Sequence, residues 1–120
     1  MNTIQRLTLL SLPLLIAGCG ISTEKYVEQT KSSDPSARQH AVQALRDRKD
    51  DSDTVVPALT QALQDENKFV RRDAAKGLGQ LGPAAKQAVP ALQACLQDGE
   101  PSVRKAAARA LAKISPGEAI

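Results

Sequence analysis

From Asp34 onward, apolar residues return at every third or fourth position, and three stretches do so in the same way. Ala37, Ala41, Ala44 and Leu45 form the first set, Val70, Ala74 and Leu78 the second, and Val103, Ala107 and Leu111 the third. Residues three, four and seven apart share one helix face, so each set predicts a helix with a single buried stripe. Leu81 and Ile114 lengthen the second and third stripes, whereas Arg48 stands at that place in the first and predicts an early end there. Asp34-Pro35, Asn67-Lys68 and Glu100-Pro101 open these helices; Asp is a favoured N-cap, and Pro at the first helical position loses no bond. Between them, shorter stripes around Leu59 and Leu63, and around Leu92 and Leu96, predict partner helices beginning near Val55 and Ala88. Pro57 and Pro90 then fall in a first turn, where Pro costs little. Lys49 to Thr54, Gly82-Pro83 and Ser115-Pro116-Gly117 read as stops and turns.

The pattern repeats at 33 residues. Pro57, Leu59, Leu63, Gln64 and Asp65 recur as Pro90, Leu92, Leu96, Gln97 and Asp98, and Val70, Arg71, Ala74 and Leu78 as Val103, Arg104, Ala107 and Leu111. A fixed period in this range means stacked helical units. Tyr26 and Thr30 occupy the places of Leu59 and Leu63, so the polar stretch from Ile21 to Lys31 reads as a degraded first helix capping one end. The expected fold is all-α, a short solenoid of about three helical hairpins over residues 22–115, with a tail at 116–120.

Composition narrows the function classes. Aromatics make up 2% of the 120 residues, which suits closely packed thin helices and poorly suits a cofactor pocket or a base-stacking surface. The net charge is +3, but cations and anions interleave, unlike a nucleic-acid binder. His40 is the only histidine, with no Cys or second His at metal-ligand spacing, and reads as solvated. No Ser–His–acid set can be assembled from it, there is no phosphate-cradling glycine loop, and Asp50 and Asp51 read as solvated linker carboxylates. Cys95 takes the place of Ala62 and reads as a buried, inert thiol. The expectation is no enzyme, no cofactor and no metal.

Residues 1–18 read as a targeting segment: Arg6 precedes an apolar run from Leu7 to Ala17 that is too short to span a bilayer. Its end, Leu15-Ile16-Ala17-Gly18-Cys19, resembles a bacterial lipobox. That resemblance implies removal of residues 1–18, acylation of Cys19 and membrane anchoring, with residues 19–21 as a short tether. Gly20, where Asp would mark inner-membrane retention, implies the outer membrane facing the periplasm. Several acyl chains would hold the protein stably where one is marginal. A plain secretory signal is the alternative.

Pro-x-Leu-x-x-x-Leu-x-Asp followed by Val-Arg-x-x-Ala-Ala-x-x-Leu-x-x-Leu resembles the HEAT-repeat pattern, in the short variety also found in the phycobilisome-lyase-like group. The likeness is good from Val55 to Ile114 and weak from Ser22 to Arg48. It implies that the first helix of each pair lies on the convex side and the second lines the concave side. It also implies a structural ladder along the stack from Asp65 with Arg71 and Asp98 with Arg104, left incomplete by Ser32 at the first Asp position. The lyase activity is not implied: those proteins are much longer, and nothing here resembles a bilin pocket.

One feature exceeds the scaffold. Off the buried stripes, the second helices carry Arg72, Lys76 and Gln80, then Lys105, Arg109 and Lys113, with Gln39, Gln43 and Asp47 in the first repeat. Residues four apart stack along a helix, and the 33-residue period sets the rows side by side, making a basic patch. The ordinary reading is a solvated face; the functional one is a docking surface for an acidic protein segment, or for anionic lipid or glycan. The expectation is a lipid-anchored, protein-binding or scaffolding module at the periplasmic membrane surface, with Arg72, Lys76, Lys105 and Arg109 making the contact. Self-assembly of the repeats, and a non-catalytic accessory role to an enzyme or envelope complex, are the alternatives.

Overall fold

The computed structural model describes residues 20–117. Residues 1–18, read above as a targeting segment, Cys19 and the last three residues lie outside them. Six α-helices follow in order: α1 (Thr23–Gln29), α2 (Pro35–Leu45), α3 (Ser52–Ala62), α4 (Lys68–Leu81), α5 (Val89–Cys95) and α6 (Pro101–Ile114). No strand occurs among the described residues. They pair as three hairpins, α1/α2, α3/α4 and α5/α6, and the second members α2, α4 and α6 stack on one another, most extensively α4 on α6. Their packed faces build an aliphatic core that includes Leu45, Leu59, Leu78, Leu92 and Leu111, all fully buried. Tyr26 only edges onto it, so the core is built without a buried ring.

Three of the helix starts are held by side chains, whereas Glu100 at the start of α6 makes no such bond. Ser22 accepts from Lys25 N–H, Asp34 from Ser36 N–H, and Asn67 from the N–H groups of Phe69 and Val70. Helix α2 stops at Leu45, three residues short of the position at which α4 ends. The cause is Arg48, which turns back to donate to Thr23 and the Ile21 carbonyl and places its guanidinium 5.1 Å from the Tyr26 ring. Gly82 ends α4 with φ 64°, the only positive φ among the described residues, and a Cα without Cβ takes it freely.

Two expectations are corrected. Helix α3 begins at Ser52, after a 3₁₀ turn over Lys49–Asp51, and not near Val55. Pro57 therefore lies inside the helix and not in its first turn; its missing N–H leaves the carbonyl of Asp53 free, and Asp53 is exposed, where water can serve it. Pro90, by contrast, is in the first turn of α5.

The ladder also pairs differently. Arg71 donates to the Asp98 carboxylate through Nε (2.9 Å) and Nη2 (3.1 Å), and holds the carbonyls of Asp65 and Glu66 through Nη1. Arg38 does the same one repeat earlier, reaching Asp65 at 2.8 and 3.1 Å and the carbonyls of Ser32 and Ser33. Each arginine thus takes backbone from its own hairpin turn and carboxylate from the next, so Asp65 pairs with Arg38 and Arg71 with Asp98. Ser32 breaks neither rung, because only its carbonyl is needed. Arg104 keeps the turn contact, to the Asp98 carbonyl at 2.7 Å, and is exposed without a carboxylate among the described residues.

Candidate functional site: a basic groove between α4 and α6

Close approach of α4 and α6 creates the site's floor. A Cβ on Gly79 would stand 3.0 Å from Ala110 Cα, so any larger residue there would push the two backbones apart by a few tenths of an ångström. Above that contact lies a cavity of about 510 Å³. Gly79, Ala106 and Ala110 are small residues in its lining, and the cationic rows rise on either side. Arg72, Lys76 and Gln80 come from α4, and Lys105, Arg109 and Lys113 from α6. All four residues expected to form the contact face thus line one cavity.

Arg46 joins them from the end of α2, and the sequence reading missed it. Its Nε is buried with no hydrogen-bond partner. The available signal was Gly77, whose missing Cβ would stand 3.0 Å from Arg46 Cβ. No carboxylate lines the cavity. Among the described residues, Arg46, Lys76, Lys105, Arg109 and Lys113 have no ion-pair partner.

Arg72 is tethered. Its Nε donates to Asp73 Oδ1 at 3.1 Å, while Gln39 and Gln43 each donate to Oδ2 at 2.9 Å. Burial pushes the Asp73 carboxyl up, but these three donors outweigh it and hold it below the ordinary value. The buried carboxylate fixes Arg72 at the rim of the groove and links the first two repeats. Next to it, Phe69 is 44% exposed, with the Arg72 guanidinium 5.3 Å from its ring and the Lys68 ammonium 5.4 Å away on the same ring. Phe69 is one of only two large hydrophobic residues left open among those described.

Other candidates fall away from this site. His40 is exposed and packs edge-on to Tyr26, with ring centroids 6.1 Å apart. Cys95 is buried, and burial raises its thiol above the ordinary range. Among the described residues no three His, Cys, Asp or Glu side chains gather as metal ligands would.

A model of HEAT repeats matches residues 23–112, and again 83–120. The chain belongs to the HEAT-repeat family. Solved structures agree with the fold. The complex of CpcE and CpcF of phycocyanin lyase from Nostoc sp. PCC7120 is similar at a TM-score of 0.72 and 34% identity, over 79% of this chain and 38% of that one. An engineered protein is similar at a TM-score of 0.67 and 25% identity, over 79% of this chain and 46% of its own. This HEAT-repeat chain therefore spans less than half the length of either. No curated protein matches it significantly. The helices that carry the groove, α4 and α6, are the second members of their hairpins.

Proposed function

We propose that this HEAT-repeat protein is a non-catalytic docking module, anchored by acylated Cys19 to the periplasmic side of the outer membrane, whose basic groove holds an acidic segment of a partner protein. The observation that carries the proposal is the groove itself: six cationic side chains line it and no carboxylate does. Cations concentrated in a concavity raise the local concentration of an anionic partner and orient its approach. A protein partner is supported by the similar Nostoc structure, which is a complex of two protein chains. The lipobox-like Leu15-Ile16-Ala17-Gly18-Cys19 supports the anchor, and the small number of residues between Cys19 and α1 would keep the groove close to the membrane surface.

The test is crosslinking in cells with mass spectrometry, comparing the natural protein with one carrying Arg72→Glu, Lys76→Glu, Lys105→Glu and Arg109→Glu. A partner captured by the first and lost with the second is the expected result. Partners captured equally by both would remove the groove from the function, and capture of other copies alone would replace docking by self-assembly. For the anchor, Cys19→Ser is expected to shift the protein from the membrane to the soluble fraction.

A further inference from the structure

We propose that the occupant of the groove is an α-helix, lying along α4 and α6, with two rows of carboxylates flanking a narrow stripe of small apolar residues. This rests on the docking function above and names the form that the acidic segment takes. Three observations converge on it.

The first is spacing. Lys105, Arg109 and Lys113 follow one another at every fourth residue of α6, and Arg72 and Lys76 do so on α4. At 1.5 Å per residue, each row steps by about 6 Å. Acidic residues four apart on an accompanying helix step by the same amount, so every rung can be met at once. Where Gln80 interrupts the α4 row, Arg46, just past the end of α2, brings a further cation into the lining.

The second is hydrogen-bond supply. The cavity lining is rich in donors, but its only uncharged side-chain acceptors are Gln80 and Ser102. An extended segment would leave N–H groups unpaired along its edges beside Gly79, Ala106 and Ala110, where almost nothing accepts them. A buried unpaired N–H is costly. A helix satisfies its own backbone and presents only side chains. The small lining residues also let a helix approach closely, as Gly79 already does for α6.

The third is the rim. Phe69 holds the place of Ser102 one repeat earlier, near the amino-terminal end of its helix; Ser102 lines the cavity, and Phe69 adjoins it through Arg72, whose guanidinium is 5.3 Å from the ring. An exposed aromatic ring at one end and cations along the rest give the occupant a direction, with an apolar side chain against Phe69 at one end of its stripe. A single phosphate headgroup would engage two or three of the cations and leave Phe69 and the remaining rungs unused.

The full-length protein, extracted in a non-ionic detergent, would be titrated with two fluorescent, Ala-based peptides of identical composition. In one, Glu residues form two rows at every fourth position with Leu at one end of the stripe; in the other, the same residues are permuted so that no row forms. The expected result is at least tenfold tighter binding of the patterned peptide, with ¹³C shifts of the bound peptide moving to helical values. Phe69→Ala is expected to weaken the patterned peptide several-fold and leave the permuted one unchanged. Lys76→Glu and Lys105→Glu are each expected to weaken the patterned peptide tenfold or more, with circular dichroism verifying the fold of each variant. Equal binding of the two peptides, or a bound patterned peptide with extended shifts, overturns the proposal. So does displacement of the patterned peptide by phosphatidylglycerol vesicles while neutral vesicles have no effect. The docking function fails separately: it falls if in-cell capture ignores the four reversed charges, whatever the peptides do.

Discussion

Arg71 and Arg104 occupy the same place in successive repeats, yet among the described residues only Arg71 has a carboxylate partner. That difference gives a measurable contrast. Asp98→Asn removes the charge and one of the two acceptor oxygens of a nearly enclosed, charge-assisted pair whose side chains are 19% and 12% exposed, and should destabilise the protein by about 1–2 kcal/mol. Arg104→Ala touches an exposed side chain and should cost less than about 0.5 kcal/mol. Urea unfolding of the two variants checks the order. Burial raises the Asp98 carboxyl, but the bonds from Arg71 and the Glu100 N–H outweigh it and leave it below its ordinary value. With the folded value depressed, the unfolded chain binds more protons on the acid side. The stabilisation is then present above the ordinary carboxylate range near pH 4 and is lost as pH falls through the folded value. Melting temperature should therefore drop between about pH 5 and pH 2.5, and less steeply in Asp98→Asn. The residues of these rungs were visible in the sequence, but their partners were not. A period of 33 says which residues are equivalent; which ones touch depends on the hairpin turn of one repeat lying against the helix before it, and that offset is 27.

At the scale of the helix, the buried stripes and most of the caps could be read directly, because spacing and cap chemistry are local. Asn67 is the clearest case, accepting from two N–H groups at the start of α4. Asn67→Ala should cost about 1 kcal/mol and lower the melting temperature by several degrees. Because α4 carries one rim of the groove, the same variant should weaken partner capture only slightly, which separates an effect on the fold from one on the site. The early start of α3 escaped the sequence because its first turn, Ser52-Asp53-Thr54, is built from residues that favour turns and caps. Nothing in that stretch marks a helix until the stripe from Val55 packs beneath it.

Across the whole molecule, the groove was legible as two rows of cations because repetition brings equal positions side by side. Arg46 and Phe69 were not legible. Arg46 enters from a helix that stops early, and Phe69 sits where neither other repeat has an aromatic residue. Both break the repeat's symmetry, and a reading based on repetition passes over such positions.

The ladder itself has a bearing on how such a chain can change in length. Each rung joins a turn to the following turn through the same two side chains, set 27 residues apart. Duplicating or excising a block of 33 residues inside the stack leaves every new neighbour facing an arginine or an aspartate that already fits it. A block of any other size puts the wrong residue at the junction. The molecule is thus free to lengthen by copying while resisting smaller insertions, and each added unit would extend the cationic groove only as far as its own copy repeats the off-stripe lysines and arginines.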